Sequence, residues 1–182
     1  QSIDPVIKAA LAHFWFVMIH PFEDGNGRIA RSITDLCLAR SDGQQARYYS
    51  MSGVIQKRRR AYYAILERTQ KGGMDVTEWV EWFLQTLSEA LRESERVAER
   101  VMRKHRFWAL HGNLLDNERQ RKVVGRLLEG FEGKLTTSKW AKIAKCSQDT
   151  ALRDIQDLIR KGVLRQLPGG GRNTGYELAP LG

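Results

Sequence analysis

His20-Pro21-Phe22-Glu23-Asp24-Gly25-Asn26-Gly27-Arg28-Ile29-Ala30-Arg31 is the stretch on which the reading of this chain turns. Asp24-Gly25-Asn26-Gly27 is poor in helix formers, whereas residues 28–40 have helical spacing. Ile29, Ile33, Leu36 and Leu38 are expected to form the apolar stripe of that helix, with Arg28, Arg31 and Asp35 off it. A glycine-rich loop therefore runs into a helix N-terminus near residues 25–27. Unpaired backbone N–H groups and the positive end of the helix dipole favour an anion there. Gly25 and Gly27 let a phosphate approach the backbone, and Arg28 and Arg31, three apart, share a helical face from which both reach a phosphate tail. Asp24, just ahead, is a hard oxygen ligand suited to Mg²⁺ bridging two phosphates. His20 is the one good general base of the run. Taken singly, each fragment is ordinary: a turn with a packed ring, a loop, a common Asp-Gly turn dipeptide. Their joint occurrence at this spacing points to polyphosphate chemistry.

Working outward, residues 3–19 precede the motif as a helix whose end, Ala12 to Ile19, is almost wholly apolar, so a core helix is expected. His13 within it reads as a satisfied core histidine and not as a second base. The run Lys57-Arg58-Arg59-Arg60 reads as a charged helix face, because nothing aromatic interleaves with it. Asp75-Val76-Thr77-Glu78 has the form of a capping box, and a helical pattern follows to about residue 107 before Gly112-Asn113 breaks it. A domain boundary is placed there, giving domains 1–112 and 113–182.

Composition narrows the class. With 182 residues, 42% apolar and 9% aromatic, the chain is expected to fold around one good core or two small ones. Its longest apolar run, Phe14 to Ile19, is far too short to cross a membrane. Cys37 and Cys146 are too few and too separated for a disulfide framework, and no signal peptide is evident, so a cytoplasmic setting is expected.

The motif resembles the signature of the Fic family, His-x-Phe-x-(Asp/Glu)-(Gly/Ala)-Asn-x-Arg-x-x-Arg, matched at every fixed position by His20, Phe22, Asp24, Gly25, Asn26, Arg28 and Arg31. The resemblance implies a protein adenylyltransferase, with ATP as substrate and Mg²⁺ as cofactor. His20 would take the proton from a Ser, Thr or Tyr hydroxyl of a target protein, and Asp24 would hold the metal. Gly25, Asn26 and Gly27 would form the anion hole beside Phe22, with Arg28 and Arg31 on the β- and γ-phosphates. Glycine at 27 favours AMP transfer over the phosphorylating branch, which typically has lysine there. Tyr62, Tyr63 and Gln70 resemble positions that family members place near the nucleotide; a Tyr pair on an amphipathic helix is also ordinary packing. The family's inhibitory pattern, (Ser/Thr)-x-x-x-Glu-(Gly/Asn), is absent: Gly125 and Leu128 precede Glu129-Gly130 and Glu132-Gly133 where Ser or Thr should stand. The substrate-positioning hairpin normally lies upstream, and 19 residues before His20 do not suffice for it. The chain, which begins with Gln1, is therefore expected to be an N-terminally truncated piece of such a protein.

The last third has another rhythm. Residues 119–128 read as a helix, Thr136 to Ser138 cap a second, and Ser147 caps a third over 148–161, with Leu152, Ile155, Leu158 and Ile159 as its buried face. Residues 162–178 read as a hairpin. The order resembles a winged helix-turn-helix, so the fold class is mainly α: a Fic-type helical domain followed by a small α+β domain. Residues 111–182 carry 13 Lys+Arg against 8 Asp+Glu, which favours a polyanion. Gln148, Thr150 and Arg153 are placed to reach DNA bases, and Arg172 in the wing to reach phosphate or minor groove. Asp149, Asp154 and Asp157 on the same helix argue against DNA. The alternatives, packing on the first domain or joining a homodimer, stay open. So does a wider one: a DNA-binding regulator whose Fic-like half senses nucleotide without turnover.

Overall fold

Asp4 starts the first helix, α1 (Pro5–Ile19), by accepting hydrogen bonds from the N–H groups of Val6 (2.8 Å) and Ile7 (3.2 Å), with Pro5 at a position that needs no donor. The computed structural model describes residues 3–42, 48–169 and 174–181, so Arg172 lies outside the described residues. α1 ends at His20 in the left-handed conformation, φ 48°, its N–H donating to the Phe16 carbonyl at 3.2 Å. Pro21 then rules out continuation. α2 (Asn26–Asp42), α3 (Met51–Lys57), α4 (Arg59–Lys71) and the long α5 (Thr77–His111) follow.

Two of these helices depart from the sequence reading. α2 buries Asn26, Ala30, Thr34 and Leu38, every fourth residue, while Ile29 and Leu36 are exposed. The buried face therefore runs through Ala30 and Leu38 and through two polar side chains that have hydrogen-bond partners, Asn26 and Thr34, so hydropathy alone does not mark it. Asp75 accepts from the Thr77 N–H at 2.9 Å, but Glu78 pairs with Arg68 and not back toward Asp75, so the reciprocal capping box does not form. The basic run spans the break between α3 and α4. Lys57 pairs with Glu93 at 2.7 Å, while Arg58 lies 5.6 Å from the Trp82 ring and Arg59 5.6 Å from that of Tyr63. An aromatic ring distant in sequence, Trp82, and one a helical turn away, Tyr63, supply what the run itself lacked.

Packing divides the chain into two units, Gln1–Val97 and Ala98–Gly182, so the division falls inside α5 and not at the end of its helical pattern. A helix that serves two cores keeps its periodicity through the division, which is why residue 112 looks like the boundary from sequence. The first unit is built on a cluster of His13, Phe14, Tyr62, Trp79, Trp82 and Phe83, in which Trp79 and Trp82 stack at 5.5 Å. The Trp79 indole N–H donates to the Ala10 carbonyl at 2.8 Å, fastening α5 to α1.

The second unit contains α6 (Glu118–Gly130), α7 (Thr137–Ala144), α8 (Gln148–Arg160) and an antiparallel pair, β1 (Leu164–Gln166) and β2 (Tyr176–Leu178). Asn117, Thr136 and Ser147 cap the three helices through their side-chain oxygens. Lys145, left-handed at φ 53°, makes the tight turn into α8. Arg165 faces Glu177 across the pair, and Leu135 bridges to Tyr176. Trp140, Ile155, Leu158 and Val163 are fully buried among Val123, Val124, Leu128 and Ala151.

α8 also corrects the expected surface. Leu152 is 38% exposed, and Ala151 takes the buried place beside it. Asp154 is turned inward, accepting from Arg119 (3.0 and 3.2 Å) and Asn117 (3.1 Å), and Asp157 pairs with Lys161 at 2.8 Å. Trp140→Ala is therefore expected to cost about 4 kcal/mol and Leu152→Ala well under half of that. Urea unfolding followed by circular dichroism measures both.

Candidate active site

The loop between α1 and α2 is held at both ends and across its middle. His20 stands on the left-handed corner with its side chain exposed. Gly25 has φ 85°, a conformation a side chain would strain, and its carbonyl accepts from Arg28 (2.9 Å) and Ile29 (3.0 Å) to open α2. Asn26, 3% exposed, spans the loop: its amide oxygen accepts from the Phe22 N–H at 3.1 Å and its amide nitrogen donates to the Phe22 carbonyl. Asn26 is thus a clamp on the loop backbone, which its place in a polar run did not show. Phe22 takes part through its main chain; its ring is half exposed and lies 6.3 Å from that of Phe16.

Beyond the clamp, the Gly25 carbonyl takes the N–H groups of Arg28 and Ile29, so the groups left for an anion are the earlier N–H groups of the helix start, and both arginine side chains lie close by. The Arg28 guanidinium lies beside Gly25 and pairs with Asp24 at 3.1 Å. Both side chains of that pair are largely exposed, so it contributes little stability and yields readily. Arg31 is half-buried, with a guanidinium nitrogen 3.7 Å from where a side chain on Gly27 would begin. It has no carboxylate partner among the described residues. A cation held at the positive end of a helix is unfavourable until an anion arrives. The structure thus brings His20, Asp24, Gly25, Gly27, Arg28 and Arg31 onto one short loop and helix start.

Tyr62 and Tyr63 separate. Tyr62 is buried and its hydroxyl meets His13 Nε2 at 2.9 Å, whereas Tyr63 is 55% exposed. Gln70, also exposed, is seven residues on and so lies on the same face of α4 as Tyr63. Of the tyrosine pair, Tyr63 is the ring that a ligand can reach. In the second unit Gln148 and Arg153 are exposed, and the Thr150 hydroxyl is engaged by Ser147 at 2.9 Å.

His13 is the buried, satisfied residue expected from the sequence. Its Nδ1 lies 2.8 Å from Thr34 Oγ1. Burial first, and the Arg31 charge second, push its pKa down to about 4. Burial also pushes the Tyr62 phenol up to about 12, against a smaller opposing effect of Arg31. The Thr34 link was not legible in sequence, since a threonine inside a helix carries no signal of its partner.

No group of three or more His, Cys, Asp or Glu side chains forms a metal cluster among the described residues, and no described helix is long and apolar enough to cross a membrane. Asp24 alone still fits a magnesium ion, which keeps several waters and takes one or two carboxylates beside substrate phosphates.

Comparison with known proteins bears on this same segment. The model of the Fic/DOC family matches residues 1–38, which include the whole motif. "Protein adenylyltransferase fic-1" of Caenorhabditis elegans is 52% identical over 40 residues, 22% of this chain and 8% of that protein. "Protein adenylyltransferase Fic" of Drosophila virilis is 38% identical over 72 residues, 40% of this chain and 14% of that protein. The chain thus spans a small part of the length of the curated relatives it matches.

The His13 burial has a consequence for stability. The unfolded chain binds a proton on His13 near pH 6.5 and the folded chain only near pH 4, so between these values the unfolded state holds more protons. Stability from this residue is complete above about 6.5 and falls by up to about 3 kcal/mol as pH drops to 4. Urea unfolding of the wild type and His13→Gln across this window should show the slope in the wild type and a flatter one in the variant.

Proposed function

We propose that this chain carries the catalytic loop of a protein adenylyltransferase that moves AMP from ATP to a Ser, Thr or Tyr hydroxyl of a target protein. The observation that carries the reading is the Arg31 guanidinium poised over Gly27 at the start of α2, without a carboxylate partner among the described residues. The family match over residues 1–38 and the names of the relatives support it. In this reading the exposed His20 imidazole removes the hydroxyl proton as the oxygen bonds to the α-phosphorus. The bond from that phosphorus to the β-bridging oxygen breaks, and pyrophosphate leaves. Gly25 and Gly27 present backbone N–H groups, and Arg28 and Arg31 compensate the charge on the β- and γ-phosphates. Asn26 holds the loop in shape and Phe22 supplies the backbone that it grips. Asp24 would turn from Arg28 toward a Mg²⁺ carried in on the phosphates, and that ion would neutralise charge between them. Tyr63 and Gln70 are the α4 groups offered to the base. A cytoplasmic setting follows if the target is a cytoplasmic protein.

ATP labelled at the α-phosphate, with Mg²⁺ and acceptor proteins, tests this. His20→Ala should lower label transfer by about 10²–10⁴ while calorimetry still detects ATP binding; Arg31→Ala should weaken the binding itself. Equal labelling by wild type and His20→Ala, with no ATP binding by either, would sink the proposal.

A second reading is favoured by α8. With Asp154 buried and Asp157 part-buried in ion pairs, the exposed residues of that helix include Gln148, Arg153, Gln156 and Arg160, the last paired with Asp157, and Asp149 is its exposed acid. The order of helices and hairpin resembles a winged helix-turn-helix, and this surface suits duplex DNA, with Arg172 as a further contact. The role of a nucleotide-sensing regulator would join the two halves; a homodimer would match a two-fold site. Fluorescence anisotropy with duplex DNA should show affinity falling steeply between 50 and 200 mM salt, and falling again in Arg153→Ala. Absence of binding at low salt removes this reading and leaves the first intact.

A further inference from the structure

A chain of buried hydrogen bonds, which proton transfer at His20 does not use, runs beside Arg31. The Thr34 hydroxyl donates to the Ala30 carbonyl at 3.0 Å, so its proton is committed. Its oxygen must then accept from His13, which places the imidazole proton on Nδ1, 2.8 Å away. Nε2 is left bare, and it accepts from the Tyr62 hydroxyl at 2.9 Å. The order is fixed at each step: Tyr62 on α4 donates to His13 on α1, His13 to Thr34 on α2, and Thr34 to Ala30 on α2. Trp79 of α5 closes the remaining side of the imidazole, ring centres 5.3 Å apart.

Arg31 sits between the two α2 residues that end this chain, and its positive charge is felt at both the His13 and the Tyr62 rings. Its guanidinium nevertheless points to Gly27 at the helix start. A neutral imidazole lets the cation lie there without repulsion. The hydroxyl chain also fixes the turn of α2 from which Arg31 springs.

We propose that His13 is a positioning residue for Arg31: the Tyr62–His13–Thr34 chain holds the guanidinium in its phosphate-binding pose and ties that pose to α4. The role rests on the nucleotide reading above and deepens it, because it makes triphosphate selectivity depend on residues that touch no ligand. Tyr62→Phe removes one hydroxyl and keeps the ring; His13→Asn keeps a donor toward Thr34 and loses Tyr62.

Calorimetric binding of ATP and of AMP separates the possibilities. The wild type should prefer ATP, and Arg31→Ala should lose that preference. Tyr62→Phe and His13→Asn should each reduce it by about fivefold, the size of one neutral hydrogen bond, with AMP affinity unchanged. His13→Asn combined with Arg31→Ala should be no worse than Arg31→Ala alone. A wild-type ATP preference that survives intact in Tyr62→Phe would overturn the inference and leave the function standing. So would an equal loss of ATP and AMP affinity, which marks a merely structural role. No preference for ATP in the wild type would overturn both. Should His13→Asn fail to fold, Tyr62→Phe decides the matter alone.

Discussion

A neutral imidazole buried between two hydroxyls joins α1 to three other helices of the first unit. His13 touches Thr34 of α2 and Tyr62 of α4, and Trp79 of α5 both packs on its ring and bonds the α1 backbone at Ala10. Every polar atom in this group has a partner, which is the condition for a polar network to strengthen a core. The α1–α2 pair is thereby fixed in spacing, and the loop between the two helices has little freedom left. Its corner at His20, its positive-φ glycine at 25 and its Asn26 clamp then set where the side chains of the motif emerge.

The charges of that loop are arranged against folding and toward a ligand. Two arginines gather at a helix start that already carries partial positive charge. One of them is partly answered by Asp24 in an exposed pair, and the other by no carboxylate among the described residues. In the proposed reading an arriving polyphosphate would relieve this. Such an arrangement is less favourable without an anion than with one, which is what the proposed nucleotide role requires of it.

On α8 of the second unit, Asp154 is buried and Asp157 is part-buried, each in ion pairs. Asp154 anchors Arg119 and Asn117, and Asp157 serves Gln120, Arg160 and Lys161. The contacts with Asn117, Arg119 and Gln120 pin α6 and its cap to α8, and the pairing reduces the negative charge on the outer side of α8. A sequence count of acids on that helix therefore overstates the repulsion that a polyanion would meet.

Much of the architecture was readable before any coordinates. Thr136 and Ser147 announced helix starts through their own short-range hydrogen bonds, and the loop from His20 to Arg31 announced anion chemistry through residue types at close spacing. Such features depend on neighbours a few positions away, and so a linear string determines them. What the string left open involves partners 20 to 70 positions apart: Thr34 and Tyr62 with His13, Ala10 with Trp79, Arg58 with Trp82, Arg119 with Asp154. The packed face of α2, which includes the hydrogen-bonded Asn26 and Thr34, and the division of α5 between two cores belong with these. The sequence by itself determined which chemical groups stand at the candidate site and the order in which they meet. Only the tertiary structure decided which of them are clamps and which are free to bind, because burial and pairing are set by contacts between helices and not along the chain.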